Sequence, residues 1–422
     1  MTHALYSLLM WLLQPWMRRK LRRRARAEPL YGQAMAERFG HYASAVAPPT
    51  VAGLRVWVHA VSLGETRAAA VLVAQLRQAL PGLQLLLTHG TATGRAQGQS
   101  LLQTGDIQVW QPWDTPAVVD RFLRHFRPDI GLLMETEIWP NLVRQCARAR
   151  VPLCLVNARL SAKSLRQAER LAWLAHPAYQ GLRAVWAQSD ADAQRLRQLG
   201  APVQAVLGNF KYDATPDAAQ CRSGRAWRAA LGRPLLLLAS AREGEEQMLL
   251  QCLRQSPAAA QVQWLIVPRH PLRFDAVAQL CAAQGLTLSR RSQWGAGPQP
   301  ADIWLGDSMG EMALYYAMAD AALLGGSFAP LGGQNLIEAA ACACPVFMGP
   351  HTFNFSQAAA LAEQAGAAFS LADMEQAVAA ALALVQQAQA LQAARSAALA
   401  FSAAHQGAAA RTAAAVRQLL LG

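Results

Sequence analysis

Short segments carrying carboxylates and cations set the chemical possibilities of this chain. In VWVHAVSLGET, Glu65 follows a β-branched run, and the neighbouring Gly64 lets the backbone turn tightly. A carboxylate at such a strand-to-helix junction can act as a general base. Ser62-x-x-Glu65 equally spells a capping box, in which the same carboxylate serves the free N–H groups of the helix; the local sequence leaves both roles open. Downstream, METEIWPN puts Glu135 and Glu137 side by side, and two carboxylates this close repel unless one meets a cation or shares a proton. GNFKYD sets Lys211 where an ammonium can reach a phosphate or simply be solvated.

The second half is richer in anion-binding features. LLLASAREGEEQ ends a strand in small residues and opens a helix, whose free N–H groups suit an anion. IVPRHPLRF holds Arg269 and His270 between prolines directly after a strand, where a guanidinium can fork onto phosphate or carboxylate. WLGDSMGEM and GGSFAPLGGQNLIEAA join strands to helices through glycines and a capping side chain, and Glu338 is placed to accept hydrogen bonds from ribose hydroxyls. Together these turns point to a nucleotide-phosphate site. The 7 cysteines are odd in number and sit mostly in apolar patterns, which fits a reducing compartment; no His/Cys cluster has zinc spacing, and no metal is expected.

These turns need strands to hold them. From Arg55 onward, short β-branched and Leu-rich runs alternate with helical stretches, the βαβ rhythm of a parallel sheet. Expected strands are Arg55–Val61, Leu83–Thr88, Ile107–Gln111, Ile130–Met134, Val151–Val156, Ala184–Ala187 and Val203–Leu207, then Pro234–Ala239, Val262–Val267, Ile303–Leu305, Ala321–Leu324 and Val346–Met348. Helices are expected over Thr66–Leu80 and Asn141–Arg148, and the Ala-rich tail from Met374 reads as helical. The rhythm breaks after Asp213 at ATPDAAQCRSG, which divides the chain into residues 27–213 and 214–422, the second including the tail. At 422 residues two such domains are the natural expectation. The fold class is α/β, with two Rossmann-like domains facing one cleft, a form that suits an activated donor on one side and an acceptor on the other.

The net charge of +13 is concentrated in one run, RRKLRRRAR over 18–26, so it is no diffuse nucleic-acid surface, and no aromatics are interleaved with it as stacking platforms. The run follows ALYSLLMWLLQPWM, Ala4 to Met17, which as a helix reaches roughly 21 Å, short of the roughly 30 Å hydrocarbon core. Apolar residues before basic ones reverse the order of a cleaved signal peptide. Residues 1–26 therefore read as an anchor facing the cytoplasm, inserted in the membrane or lying in its interface, or alternatively as a core helix with a solvated basic face.

Taken in order, the segments HAVSLGE from His59, METEIWPNL, NARLSAKS, GNFKYD, EGEE, VPRHPLRF, GDSMGEM, GGQN with the later Glu338, and MGPHTFNF resemble the bacterial Kdo (3-deoxy-D-manno-octulosonic acid) transferases of lipopolysaccharide synthesis. The resemblance runs along almost the whole chain. It implies the GT-B architecture and an inverting transfer of Kdo from CMP-Kdo to a lipid A precursor (lipid IVA) at the cytoplasmic side of the inner membrane. It also implies that Glu65 is the general base, that Glu135 and Lys211 support the transition state, and that CMP is held by Pro268 and Arg269, by Met309, Gly310 and Glu311, and by Asn335, Leu336, Ile337 and Glu338. No cofactor is implied. Arg242 and Gln334 stand where the family commonly has histidine, which puts the donor contacts there in question. Rival readings are another GT-B enzyme acting on a UDP-sugar, transferase or epimerase, and a membrane-tethered binding protein without activity.

Overall fold

The computed structural model describes residues 2–43, 53–213 and 215–421. It divides into two compact units, one of residues 1–213 with 407–422 and one of 214–406.

The first unit carries seven strands: β1 (Arg55–His59), β2 (Gln84–His89), β3 (Ile107–Trp110), β4 (Ile130–Met134), β5 (Leu153–Ala158), β6 (Ala184–Ala187) and β7 (Val203–Val206). They pair in parallel in the order β3-β2-β1-β4-β5-β6-β7. Parallel strands linked by helices are covered on both faces, so both alternating side-chain sets must be apolar. Val56 and Val58 of β1 pack on one face with Leu72 and Leu76 of the helix Leu63–Ala79, while Trp57 between them packs on the other with Phe122 and Leu142.

The second unit repeats the plan with β8 (Leu235–Ala241), β9 (Gln263–Pro268), β10 (Leu288–Arg290), β11 (Ile303–Leu305), β12 (Ala321–Leu324), β13 (Val346–Met348) and β14 (Ala368–Ser370), paired in parallel in the order β10-β11-β9-β8-β12-β13-β14. Leu236, Leu238 and Ile266 form its core with Leu249, Val277 and Val378 from the covering helices. Near the centre of each sheet the strand order reverses, between β1 and β4 and between β8 and β12. Neighbouring connections there leave toward opposite faces and open a crevice at the carboxyl ends of the strands.

The structure departs from the sequence expectations at several places. The edge strands β10 and β14 were not anticipated; Leu-Ser-Arg and Ala-Phe-Ser are only partly buried and lack the continuous apolar run that marks the equally short β11 and β13. The chain leaves the first unit after Asp213, as expected (Ala214 lies outside the described residues), but the tail does not stay with the second domain. Its last helix, Ala408–Leu421, packs on the first unit, where Ala408, Ala409, Ala413 and Val416 share a core with Leu72 and Leu76. The Asp213 carboxylate fixes this return by accepting from the N–H groups of Gly407 (2.5 Å), Ala408 (3.2 Å) and Ala409 (2.5 Å) at the start of that helix.

Residues 1–26 are likewise no separate module. The apolar and basic stretches form two helices, Thr2–Leu12 and Gln14–Ala27. Pro15 in the first turn of the second has no N–H to continue the first. The first helix is tied down by its polar side: Tyr6 donates to Asp114 Oδ2 (2.7 Å), Ser7 to Asn141 Oδ1 (2.7 Å), and the Trp113 indole to the Met10 carbonyl (2.8 Å). Its other side stays exposed through Leu5, Leu8, Leu9 and Leu12, with Trp11 60% accessible. Among the described residues no single helix is long and apolar enough to cross a membrane.

The cap at Asp213 makes one prediction. Asp213→Ala leaves the amides of Gly407, Ala408 and Ala409 without their carboxylate and should cost about 1–2 kcal/mol. Hydrogen exchange resolved by peptide should show lost protection in 408–421 and in the helix Leu63–Ala79 that it covers, with 215–406 unchanged; uniform loss across both units would contradict this account.

Candidate functional site

In the first unit the carboxylates foreseen in the sequence collect at the carboxyl edge where strand order reverses. β1 runs into Ser62, the N-cap of the helix Leu63–Ala79, and Ser62 Oγ accepts from the Glu65 N–H at 3.3 Å. The Glu65 carboxylate returns the contact: Oε1 accepts from Ser62 Oγ and Oε2 from the Val61 N–H, each at 2.9 Å. The capping box is therefore built, yet it does not exhaust the group. An ionised carboxylate offers about four lone-pair positions, and the box occupies one on each oxygen. Burial raises the Glu65 pKa above its ordinary value, opposed by those two hydrogen bonds and reinforced by the charges of Glu137 and Glu135. The group is thus a stronger base than a free glutamate.

Glu135, first residue after β4, is 6% exposed and sits at φ +58°, a conformation that costs a non-glycine residue about 1 kcal/mol or more. The backbone is held there because Glu135 N–H donates to Val156 O (3.0 Å) and Arg159 N–H donates to Glu135 O (3.2 Å). The Arg159 guanidinium also pairs with the Glu135 carboxylate, Nε to Oε2 at 2.5 Å. This cation relieves the crowding of Glu135 and Glu137 that the sequence posed. Glu137 accepts from the Trp139 indole (3.1 Å), and burial pushes its pKa up, with the Glu135 charge adding to it.

Lys211 follows β7, well along the sheet from Glu65, and the structure brings its segment back. Asn157 in β5, at φ +50°, accepts the Phe210 N–H on its Oδ1 (3.1 Å), and Asn209 Oδ1 accepts the Lys211 N–H (3.0 Å). Phe210 is buried in the core against Leu72, so the turn Phe210–Asp213 packs on the helix that Glu65 heads. His59, last residue of β1, is a support: it is fully buried, shares a 2.8 Å hydrogen bond with Thr88 Oγ1, and burial drops its pKa to about 3, keeping it neutral.

In the second unit the turns after β8 and β12 are joined by one carboxylate. Glu245 is fully buried and accepts from the N–H groups of Arg242 (2.9 Å), Gly326 (2.7 Å), Phe328 (3.1 Å) and Ala329 (3.2 Å). A Cβ on Gly325 would lie 2.3 Å from the Ser240 carbonyl oxygen, so only glycine lets these turns approach. Arg269, following Pro268 at the end of β9, donates from Nε to Gln334 Oε1 at 3.2 Å, and Arg242 lies against the same loop beside Gly326. The two departures from the family pattern thus stand beside the arginine proposed for the phosphate, and Gln334 orients it through this hydrogen bond.

The remaining nucleotide-binding candidates divide by burial. Glu311 accepts from Ser308 Oγ (2.5 Å) and from Arg291 (2.7 Å), with Gly310 at φ +80° and Met309 59% exposed before it. Asn335 Oδ1 accepts from the Ile337 N–H (3.1 Å) at the start of Ile337–Ala341, and Glu338 lies half-buried in that first turn. Leu336 and Ile337 are 1% and 2% exposed, so they serve as core packing and only their backbone can meet a ligand. Sequence reasoning singled out neither Arg159, Asn157 nor Glu245 as site residues, although all three lie within the recognised segments.

Comparison with known proteins agrees with this geometry. Residues 33–214 match the family described as 3-Deoxy-D-manno-octulosonic-acid transferase (kdotransferase). The 3-deoxy-D-manno-octulosonic acid transferase of Bordetella pertussis is 48% identical over 414 residues, 96% of this chain and 94% of that protein. Its counterpart from Haemophilus influenzae is 34% identical, with 78% of each chain covered. Among solved structures, a UDP-GlcNAc 2-epimerase from Neisseria meningitidis covers 87% of this chain and 100% of its own at a TM-score of 0.57 and 14% identity, a likeness of fold of the GT-B kind and no more. Identity of this extent along the whole chain shows that it belongs to the 3-deoxy-D-manno-octulosonic acid transferase family.

Proposed function

We propose that the chain transfers Kdo from CMP-Kdo to a lipid A precursor, with inversion, at the cytoplasmic side of the inner membrane. The observation that carries this reading is the Glu65 carboxylate. It stands at the reversal point of a parallel sheet, its basicity raised by burial, and it keeps lone pairs free beyond its capping bonds. In an inverting transfer Glu65 takes the proton of the acceptor hydroxyl as that oxygen bonds to the anomeric carbon, and CMP departs from the opposite face with the bonding pair. CMP leaves as a phosphate anion, which Arg269, oriented by Gln334, is suited to bind. Glu135, which holds Arg159, and Lys211 support the transition state in this reading.

The membrane reading rests on the exposed face of Thr2–Leu12. Leu5, Leu8, Leu9 and Leu12 recur at helical spacing and Trp16 continues the strip, followed by the basic helix Gln14–Ala27. An apolar strip beside a cationic helix suits attachment in the plane of an anionic bilayer without spanning it.

The reaction is tested by incubating the purified chain with CMP-Kdo and a tetraacylated lipid A precursor and measuring product mass. Glu65→Gln keeps the size and a capping acceptor but cannot take a proton, so turnover should fall about 10²- to 10⁴-fold while CMP affinity and melting temperature stay near those of the parent. Turnover within about threefold of the parent would reject the general-base role. The pH profile supplies a second check. Because the Glu65 pKa is raised, the active carboxylate form is lost as pH falls through a value above the usual 4.5. Glu137→Gln removes a like charge, and the acid limb should move to lower pH. Finally, Leu8→Glu with Leu12→Glu should weaken sedimentation with anionic vesicles at unchanged melting temperature; undiminished sedimentation would place the attachment elsewhere.

A further inference from the structure

Beside the carboxylate edge, the first unit holds a cavity of about 190 Å³ lined by three cations, Lys20, Arg24 and Arg38, and one carboxylate, Asp114. The basic helix contributes Met17, Lys20, Leu21 and Arg24, an i, i+3, i+4, i+7 set that lies on one face. From the core side comes Arg38. Its guanidinium carbon stacks 3.9 Å from the centre of the Trp110 ring, one nitrogen donates to Gly90 O at 3.0 Å, and its Nε is buried without a partner. Burial lowers the Arg38 pKa to about 10, which still leaves it charged at neutral pH.

The carboxylates nearby are already engaged. Glu37, next to Arg38 in sequence, is taken by Arg95 (2.9 Å) and by the Trp110 N–H (2.9 Å). Asp114 in the cavity wall accepts from Tyr6 and from the N–H groups of Asn141 and Leu142, and burial raises its pKa to about 6. Lys20, Arg24 and Arg38 line the same small space, the first two lying over the Trp16 and Tyr31 rings at 4.9 and 5.5 Å, and among the described residues none of the three is in an ion pair, an arrangement that suits a compact anion. The cavity also adjoins the base: Val61, whose N–H holds Glu65, and Gly90, whose N–H donates to Val61 O at 3.2 Å, both line it.

We propose that this cavity seats a phosphate on the sugar end of the acceptor lipid, through Lys20, Arg24 and Arg38, and so presents the acceptor hydroxyl to Glu65. The proposal rests on the acceptor reading given above. It assigns separate tasks to the cations of one helix: Lys20 and Arg24 line the cavity, while Arg19, Arg22, Arg23 and Arg26 are exposed, do not line it, and stay available to bilayer headgroups.

Lys20→Gln with Arg24→Gln is the variant to test, because both side chains are exposed and neither is in an ion pair among the described residues, and its melting temperature, measured alongside, should match that of the parent. In detergent micelles, with matched acceptors carrying or lacking a phosphate ester on the sugar, the parent should favour the phosphorylated acceptor by about 10- to 100-fold in kcat/KM. The double variant should lose most of that preference, and its rate with the acceptor lacking phosphate should stay within about threefold of the parent. A parent without preference, or a variant that keeps it, overturns the proposal. So does a variant that loses only binding to anionic phospholipid vesicles, since the cations would then serve the bilayer. Calorimetric titration with a deacylated sugar phosphate needs no transfer and separates this proposal from the reaction itself. Binding to the parent and not to the double variant supports the cavity even if no Kdo moves, and no binding to the parent rejects it.

Discussion

The constraint on which everything else depends is the reversal of strand order at the centre of each parallel sheet. Parallel strands send all their strand-to-helix turns to one edge, and at the reversal two adjacent turns leave toward opposite faces, so a crevice opens between them. In the first unit those turns carry Glu65 after β1 and Glu135 after β4; in the second they carry Arg242 and Glu245 after β8 and the 325–335 loop after β12. Two unrelated local sequences thus become chemical sites for the same topological reason. The backbone also departs from ordinary geometry here: Glu135, Asn157 and Ser240, all at the carboxyl ends of central strands, take positive φ. Such conformations persist only where surrounding hydrogen bonds over-determine them.

Each crevice is organised by a carboxylate that accepts backbone N–H groups, with opposite consequences. Glu245 is saturated, fully buried and holding four amides, so it fixes two turns together and has nothing left to offer a ligand. Glu65 takes only one hydrogen bond on each oxygen and is partly accessible, so the same kind of contact orients it without consuming it. Capping and general-base roles are compatible because the first uses one lone pair per oxygen and the second needs another. Crowding by Glu137 and Glu135 is tolerable because Arg159 offsets part of the negative charge.

The two ends of the chain are recruited into the first unit. Tyr6 and Ser7 tether the apolar amino-terminal helix by its polar side, leaving its leucines outward, and the last helix covers the core above Leu72 and Leu76. Asp213 links departure and return, since its carboxylate caps the helix that begins after residues 214–406 have been completed. Removing either end would therefore uncover a packed surface.

Much of this was legible in the sequence. Long, evenly spaced strands of Leu and Val announce a parallel sheet because burial on both faces demands continuous apolar runs, and strand-to-helix junctions announce the site because function collects at one edge. Glu65, Glu135, Lys211 and Arg269 could be named on that basis, and Glu311 through the family resemblance. The edge strands β10 and β14 could not, since a half-exposed edge needs no continuous apolar run and theirs mix in Ser and Arg. Nor could partners distant in sequence: the pairing of Glu135 with Arg159, of Arg269 with Gln334, of Asp114 with Tyr6, and the docking of 408–421 on a core begun at residue 56. The sequence by itself determined which chemical groups lie at strand ends, because that depends on local periodicity. Only the tertiary structure decided which of those groups meet, which are saturated and which remain available, because hydrogen-bond saturation and burial depend on neighbours that the order of residues does not reveal.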